Sequence, residues 1–275
     1  MKYKLRSMIV APPGKTLVMC DLSQAESWIV AFKSGDSQMK YNLMCSDIHT
    51  ETAAAIHNVP KSSVTKDQRY TGKRVNHASA YRMSPERFAQ VYNKDSPDSI
   101  SIKTAKQYNA AWHELYPNIK QWWVEIEEKL NRNRTLVTVY GRKRMFFQAW
   151  GQELFKEATA FEPQSTVADH FNGAYQKEAG VEGGLLYFYK KWIKDNDKGI
   201  QIINQSHDSA MVECPVELAD DVSLKLARSL HRPIIINGEE CVIPVDCEVG
   251  PRWGEMKHVF SLKKYNGEPE YAKVA

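Results

Sequence analysis

Thr16-Leu17-Val18-Met19-Cys20-Asp21-Leu22-Ser23-Gln24-Ala25-Glu26-Ser27-Trp28 is the stretch on which the fold turns. Leu17, Val18, Met19 and Cys20 make a short apolar run suited to a buried strand, and Asp21 sits where that run stops. A helix is expected directly afterwards. Ala25, Trp28, Ile29 and Phe32 recur at helical spacing, and Ser23 with Glu26 has the form of a capping box. A lone acid at a strand end has two readings: a solvated residue, or a ligand aimed by a rigid element. What the rest of the chain brings to that point decides between them.

Outward from this stretch the pattern is helical, then extended. Ala11-Pro-Pro-Gly14 is a turn signal before the strand, and Gly35-Asp36 closes the first helix. Helices are expected around 47–57, over 65–81 with Thr65 as cap, over 86–93 and 101–115, and again after Pro117 with Ile119, Trp122, Trp123, Ile126 and Leu130 at core spacing. Residues 135–147 read as a hairpin turning at Gly141, and 152–177 as helix before the break at Gly183-Gly184. Two strands, 199–206 and 209–214, meet at His207-Asp208. A helix from Val216 to Leu230 follows, then strand segments 234–238 and 241–249, with Asn237-Gly238 a hairpin turn. Strands at both ends with helices between them predict an α+β fold, a sheet domain interrupted by a helical insertion.

Composition excludes several classes. Hydrophobic residues make up 43% and charged residues 25%, and no apolar run approaches the roughly 18 residues needed to cross a bilayer. The start, Met1 to Met8, lacks the apolar core of a signal peptide. Five cysteines show no paired metal spacing and are odd in number, so a reduced, cytoplasmic protein, neither secreted nor membrane-bound, is expected. There is no Gly-rich phosphate loop of either common form, which argues against an ordinary nucleotide-binding metabolic enzyme. The charge is unevenly placed. Between Lys61 and Gln90 seven basic residues face two acids, and this local +5 exceeds the +4 of the whole chain. That region is built to meet an anion.

Within it, Arg69, Lys73, His77 and Tyr81 recur every fourth residue. Four residues turn a helix by about 400°, so the side chains form one slanted stripe roughly 18 Å long. Two cations lie nearest the helix N-terminus, where the macrodipole also favours anions, and two rings follow. The order suits a nucleoside triphosphate; a solvated basic face is the alternative. The second chemical signal is the hairpin tip at Asp208, which makes either an ordinary turn hydrogen bond or a rigidly aimed ligand. Two carboxylates such as Asp21 and Asp208 repel on one point unless a cation separates them, and Mg²⁺ is the expected occupant.

These residues resemble the motifs of the family-A, bacterial DNA polymerase I-like, DNA polymerases. Asp21-Leu-Ser-Gln-Ala-Glu26 resembles motif A, Arg69-x3-Lys73-x3-His77-x3-Tyr81 motif B, and His207-Asp208-Ser209 motif C. Asp47-Ile-His49, Tyr140-Gly-Arg-Lys143, Gln164-Ser-Thr-Val-Ala-Asp169 and Glu248-Val-Gly250 with Trp253 resemble further family segments in the same order. The resemblance implies an antiparallel palm sheet with flanking helices and an inserted helical fingers subdomain. The palm would take residues 1–28 and 150–275, and the fingers 29–149. It also implies template-directed DNA polymerase activity in DNA replication, transferring dNMP from a dNTP to a primer 3′-hydroxyl with two Mg²⁺ ions, for which Mn²⁺ can substitute.

Carried over by position, Asp21 and Asp208 would bind the metal ions. Leu22 would present its backbone near the triphosphate and Glu26 would exclude a ribose 2′-hydroxyl. His49, Arg69 and Lys73 would hold phosphates, with Lys73 also placed to protonate pyrophosphate, and His77 would stand beside the nucleotide. Tyr81 would guard the templating position, and Gln164 and His207 would touch primer-template DNA. Several positions depart from the family: His77 replaces a Phe or Tyr, Ser209 the second acid of motif C, Trp28 an Arg, Ala160 an Asn, and Ala78 and Arg82 two glycines. Only about fifteen residues precede the motif A strand, where the family has a thumb and an exonuclease domain. The expectation is therefore a palm-and-fingers part of a split or fragmentary enzyme, working with a second polypeptide that supplies those domains, in a bacterial cell or phage-infected host. The competing readings are a noncatalytic or weakly active nucleic-acid-binding remnant, and a single-subunit RNA polymerase, which shares a similar helix but lacks a gate like Glu26.

Overall fold

The computed structural model describes residues 5–96, 98–195, 198–264 and 267–272; the outer ends of the expected 1–28 and 150–275 segments, residues 1–4 and 273–275, lie outside these. A short 3-10 turn, Leu5–Met8, precedes β1 (Lys15–Leu22) and α1 (Ala25–Ser34). Then come α2 (Ser37–Cys45), α3 (Ile48–His57), α4 (Lys66–Ala80), α5 (Pro85–Asp95), α6 (Ile102–Leu115) and α7 (Ile119–Asn133). The small hairpin β2 (Thr135–Val137) and β3 (Lys143–Met145) leads to α8 (Gln152–Asn172) and α9 (Leu185–Phe188). β4 (Gln201–Ser206), β5 (Ser209–Pro215), α10 (Ala219–Leu230), β6 (Pro233–Ile236), β7 (Glu239–Val242), β8 (Val245–Gly250), β9 (Lys257–Leu262) and β10 (Glu270–Tyr271) follow. The chain forms two compact units, residues 1–25 with 165–275, and residues 26–164.

The first unit is built on a six-stranded antiparallel sheet in the order β10-β9-β8-β1-β5-β4. β1 lies inside it because its residues are apolar enough to be buried on both faces: Leu17, Val18, Cys20 and Leu22 are fully inaccessible. The pleat sends Cys20 toward α10, where its Sγ lies 3.8 Å from the Ser223 carbonyl, and sends Asp21 to the opposite face. Cys247, directly across on β8, brings its Sγ to 3.2 Å from that of Cys20. Burial first, and then Cys247 and the acids Asp21 and Asp246, hold the Cys20 thiol well above its ordinary pKa, so it stays protonated as a packing group. Asn237 and Gly238 both take positive φ, 52° and 82°, in the two-residue turn that joins β6 to β7.

Three expectations are corrected in this unit. The segment expected as one strand from 241 to 249 is two strands serving different sheets, because Pro244 offers no N–H to a ladder: β7 pairs with β6, and β8 with β1. β9 and β10 were not anticipated. The helix expected to reach 177 ends at Asn172. Gly173 there takes φ +100°, and a Cβ on it would lie 2.4 Å from the Gly183 carbonyl oxygen, so the crossing with Gly183-Gly184 stops the helix.

The second unit is helical, and its packing centres on α3, α4 and α6. Asp47 caps α3 by accepting from the Thr50 N–H, and Thr65 with Gln68 forms a full capping box on α4. Gly72 lets the two helices touch: a Cβ there would sit 2.3 Å from the His49 carbonyl oxygen and 2.9 Å from the Ala53 nitrogen. Asn76 of α4 is buried and joins three helices. Its amide nitrogen bonds the Ile48 carbonyl at 3.3 Å and His49 Nδ1 at 3.1 Å, and its Oδ1 accepts from Thr52 at 2.8 Å and from Trp112 Nε1 at 2.7 Å. A polar group this deep is tolerable only when fully bonded, so Asn76 sets the register of the helices as well as their adhesion. Ile119, Trp122, Ile126 and Leu130 of α7 are buried, and Trp123 is half-buried at the edge of their stripe.

Candidate active site

In the first unit, β1 delivers Asp21 one residue before its end, and the two-residue turn between β4 and β5 delivers His207 and Asp208. His207 takes φ +55°, a conformation a non-glycine residue adopts at some steric cost. The turn is tied to β1 through the backbone, the Leu22 N–H donating to the Asp208 carbonyl at 2.9 Å. The Leu22 N–H is thus used by the turn, and its side chain is fully buried. Asp21 and Asp208 line one cavity of about 350 Å³, with His207, Asp246, Glu248 and Arg6 also on its wall. Arg6 is stacked over the Trp253 ring at 5.0 Å from its centroid.

Strand register brings to Asp21 a neighbour that spacing did not reveal. At its level one row crosses the sheet through Ser206, Ser209, Asp21, Asp246 and Ser261, and directly opposed residues share a face. Ser209, standing where motif C has an acid, lies on one side of Asp21, and Asp246 on the other. Ser261 Oγ donates to Asp246 Oδ1 at 2.5 Å, which orients that carboxylate. Two acids facing each other across neighbouring strands repel, and a cation in the cavity relieves the repulsion. Among the described residues no three His, Cys, Asp or Glu side chains converge closely enough to hold a metal by themselves. A pair of carboxylates beside an open cavity suits Mg²⁺, which keeps several waters and takes its remaining ligands from phosphate oxygens.

In the second unit, Arg69, Lys73 and His77 of α4 are exposed along one stripe that ends at Tyr81. Arg69 is paired: its Nε and Nη2 donate to the two oxygens of Asp47 at 2.7 and 2.9 Å. Burial pushes the Asp47 carboxyl up, but hydrogen bonds from Arg69 and Thr50 outweigh it and bring the pKa to about 2. His49 is buried behind this pair, and that burial lowers its pKa to about 4, so near neutral pH it is an uncharged imidazole. It can donate to an anion only as a neutral N–H. Lys73 presents its ammonium on the exposed face, and the His77 ring meets Tyr81 edge-on with centroids 5.3 Å apart. Tyr81 Oη donates to Glu26 Oε2. Burial, and then the Glu26 charge, keep that phenol well above its ordinary pKa, so it remains a donor. Gln164 is exposed on α8.

Of the residues singled out from sequence, the structure brings Asp21, Asp208 and His207 to one cavity in one unit. It sets His49, Arg69, Lys73, His77 and Tyr81 along α3 and α4 of the other, with Glu26 of α1 bonded to Tyr81. Sequence reasoning missed Arg6 and Asp246 in the cavity and Asn76 behind the basic stripe. For Asp246, its place between the buried Val245 and Cys247 in an alternating run was the available signal.

Among the described residues no helix is long and apolar enough to cross a membrane. The sequence model of DNA polymerase family A matches residues 1–255. The thermostable DNA polymerase I of Thermus aquaticus is 25% identical over 254 residues, covering 90% of this chain and 28% of that protein. DNA polymerase I of Caldicellulosiruptor bescii is 27% identical over 263 residues, covering 92% and 28%. The chain thus spans little more than a quarter of the length of these two relatives. Among solved structures, the POL domain of Pol1 from M. smegmatis, in complex with DNA primer-template and dNTP, superposes with a TM-score of 0.73 at 20% identity, covering 92% of this chain and 43% of that one.

Proposed function

We propose that this chain, which belongs to DNA polymerase family A, carries the palm and fingers of a template-directed DNA polymerase, extending a DNA primer with dNTPs in the cytoplasm of a bacterial cell or phage-infected host. The first unit serves as palm and the second as fingers. The observation that carries the reading is the single cavity into which β1 brings Asp21 and the β4–β5 turn brings Asp208, linked by the Leu22–Asp208 backbone bond. Two Mg²⁺ ions, held by Asp21 and Asp208, would lower the pKa of the primer 3′-hydroxyl and neutralise charge on the transferred phosphoryl group.

The remaining work falls to side chains of this chain. Lys73 meets the triphosphate and gives a proton to departing pyrophosphate, while Arg69, released from or shared with Asp47, binds phosphate oxygens bidentately. His49 contributes a neutral N–H. Glu26, braced by Tyr81, blocks a 2′-hydroxyl, and His77 offers an imidazole face to the nucleotide. Gln164 and His207 meet primer-template DNA. Catalysis of this kind is positioning and charge neutralisation, so loss of a metal carboxylate does more damage than loss of one cation.

Ser209 beside Asp21 supports a second reading, a weakly active or noncatalytic DNA-binding remnant. Metal-dependent primer extension by the purified chain and its Asp21→Asn variant separates the two. Polymerisation abolished by the substitution supports the first reading; DNA binding with no extension, or extension indifferent to Asp21, supports the second. Repeating the assay with a polypeptide bearing thumb and exonuclease domains tests whether the enzyme works in parts, and strong processive synthesis by this chain alone would sink that idea.

A further inference from the structure

Tyr81 ends α4, and the residue after it has a backbone that glycine would adopt at no steric cost: Arg82 lies in the left-handed region at φ +58°. What its side chain reaches accounts for an arginine there. Arg82 Nη2 pairs with Glu127 of α7, and the guanidinium carbon lies 4.9 Å from the Trp123 ring centroid of α7 and 5.1 Å from that of Phe155 of α8. The side chain is only 16% exposed, so this cation is enclosed between two rings and one carboxylate. Its backbone takes part as well, the Arg82 N–H bonding the Ser79 carbonyl at 3.2 Å and the Met83 N–H the Ala78 carbonyl at 3.0 Å as the helix closes.

The neighbour of this clamp is Tyr81, whose hydroxyl bonds Glu26. A phenol can brace a carboxylate only if its own backbone is held, and at a frayed helix end it is not. We propose that Arg82 is a positioning residue: it fastens the C-terminal end of α4 to α7 and α8 and thereby holds the Tyr81–Glu26 pair in place, making it a determinant of sugar selectivity at the proposed nucleotide site. This rests on the reading of Glu26 as the 2′-hydroxyl gate.

Arg82→Gly is the informative variant, because glycine takes the same φ without strain and the change removes the clamp, while Arg82→Lys, which adds no backbone freedom, separates loss of the clamp from loosening of the chain by glycine. Arg82→Lys keeps a charge for Glu127 but not the planar contact with two rings. Hydrogen exchange at the amides of residues 79–83 should quicken about tenfold or more in the glycine variant and less in the lysine one. The preference for dATP over ATP in single-nucleotide incorporation should fall by about tenfold, more than the rate with dATP does, with lysine restoring part of it. Unchanged exchange overturns the clamp, and quickened exchange with unchanged preference overturns its role in selectivity. If the wild-type chain incorporates no nucleotide even with a polypeptide bearing thumb and exonuclease domains, the polymerase reading fails separately. The ratio of dATP to ATP binding then decides, an unchanged ratio in Arg82→Gly counting against the proposal.

Discussion

Replacing Gly72 by alanine sets two opposed effects against each other. In an exposed helix interior the change would stabilise α4 by about 1 kcal/mol, since alanine is the better helix former. Gly72 is buried, however, and the added Cβ would sit 2.3 Å from the His49 carbonyl oxygen and 2.9 Å from the Ala53 nitrogen. Both obstructing atoms are backbone, so no side chain can swing aside. Ordinary contact requires α3 and α4 to part by about 1 Å, and overpacking of this kind costs roughly 1–3 kcal/mol, here toward the upper end. Parting the helices also strains the Asn76 bonds to Ile48 and His49, each worth about 1 kcal/mol. The expected net effect is destabilisation by about 2 kcal/mol, read from urea denaturation. Because Asp47 and His49 ride on α3, affinity for a dNTP should fall as well, measured by calorimetry. A Gly72→Ala protein more stable than the wild type would refute the reasoning, since propensity would then outweigh the helix contact.

Asp246→Asn removes the like charge opposite Asp21 and should stabilise the chain by about 0.5 kcal/mol without divalent cations, while shrinking the rise in melting temperature that Mg²⁺ gives the wild type; an equal or larger rise would count against a cation between these acids. Burial lowers the pKa of His49, His113 and His231 to about 4 and of His170 to about 3. The folded state then binds fewer protons than the unfolded chain, whose histidines titrate near about 6.5, so stability should fall as pH drops from there toward 3. Asp47, held near 2 by Arg69 and Thr50 against the effect of its burial, adds a further loss as its carboxyl protonates between about pH 4 and 2, and Asp47→Asn should abolish that step alone. Thermal melts across pH 2 to 8 check both, and a flat profile from 7 to 4 would show these histidines to be solvated. His207→Gly should stabilise the chain by roughly 0.5–1 kcal/mol in urea by relieving the left-handed backbone, and weaken primer-template binding in a fluorescence titration if the imidazole meets DNA.

What was legible in the sequence was what is decided locally. The strand before Asp21, the Thr65 cap and the Asn237-Gly238 turn each depend on residues within a few positions of one another, and each stands as read. The helix end at Asn172 and the division of 241–249 were not legible: the first is dictated by the remote crossing of Gly173 with Gly183, the second by which strands β7 and β8 find as partners. The site divides the same way. Asp21, Asp208 and the α4 stripe sit in motifs whose spacing is their signal, whereas Asn76 acquires its role only when α3 and α6 close around it. Ser209 makes the point most sharply. In the sequence it reads as an acid lost from the hairpin tip, leaving Asp208 without its usual companion. In the sheet Asp21 has Ser209 on one flank and a carboxylate, Asp246, on the other, so the cavity is no poorer in negative charge than an acid at 209 alone would make it. Charge at a metal site is counted over the space the ion would occupy, and that space is assembled from strands far apart in the chain.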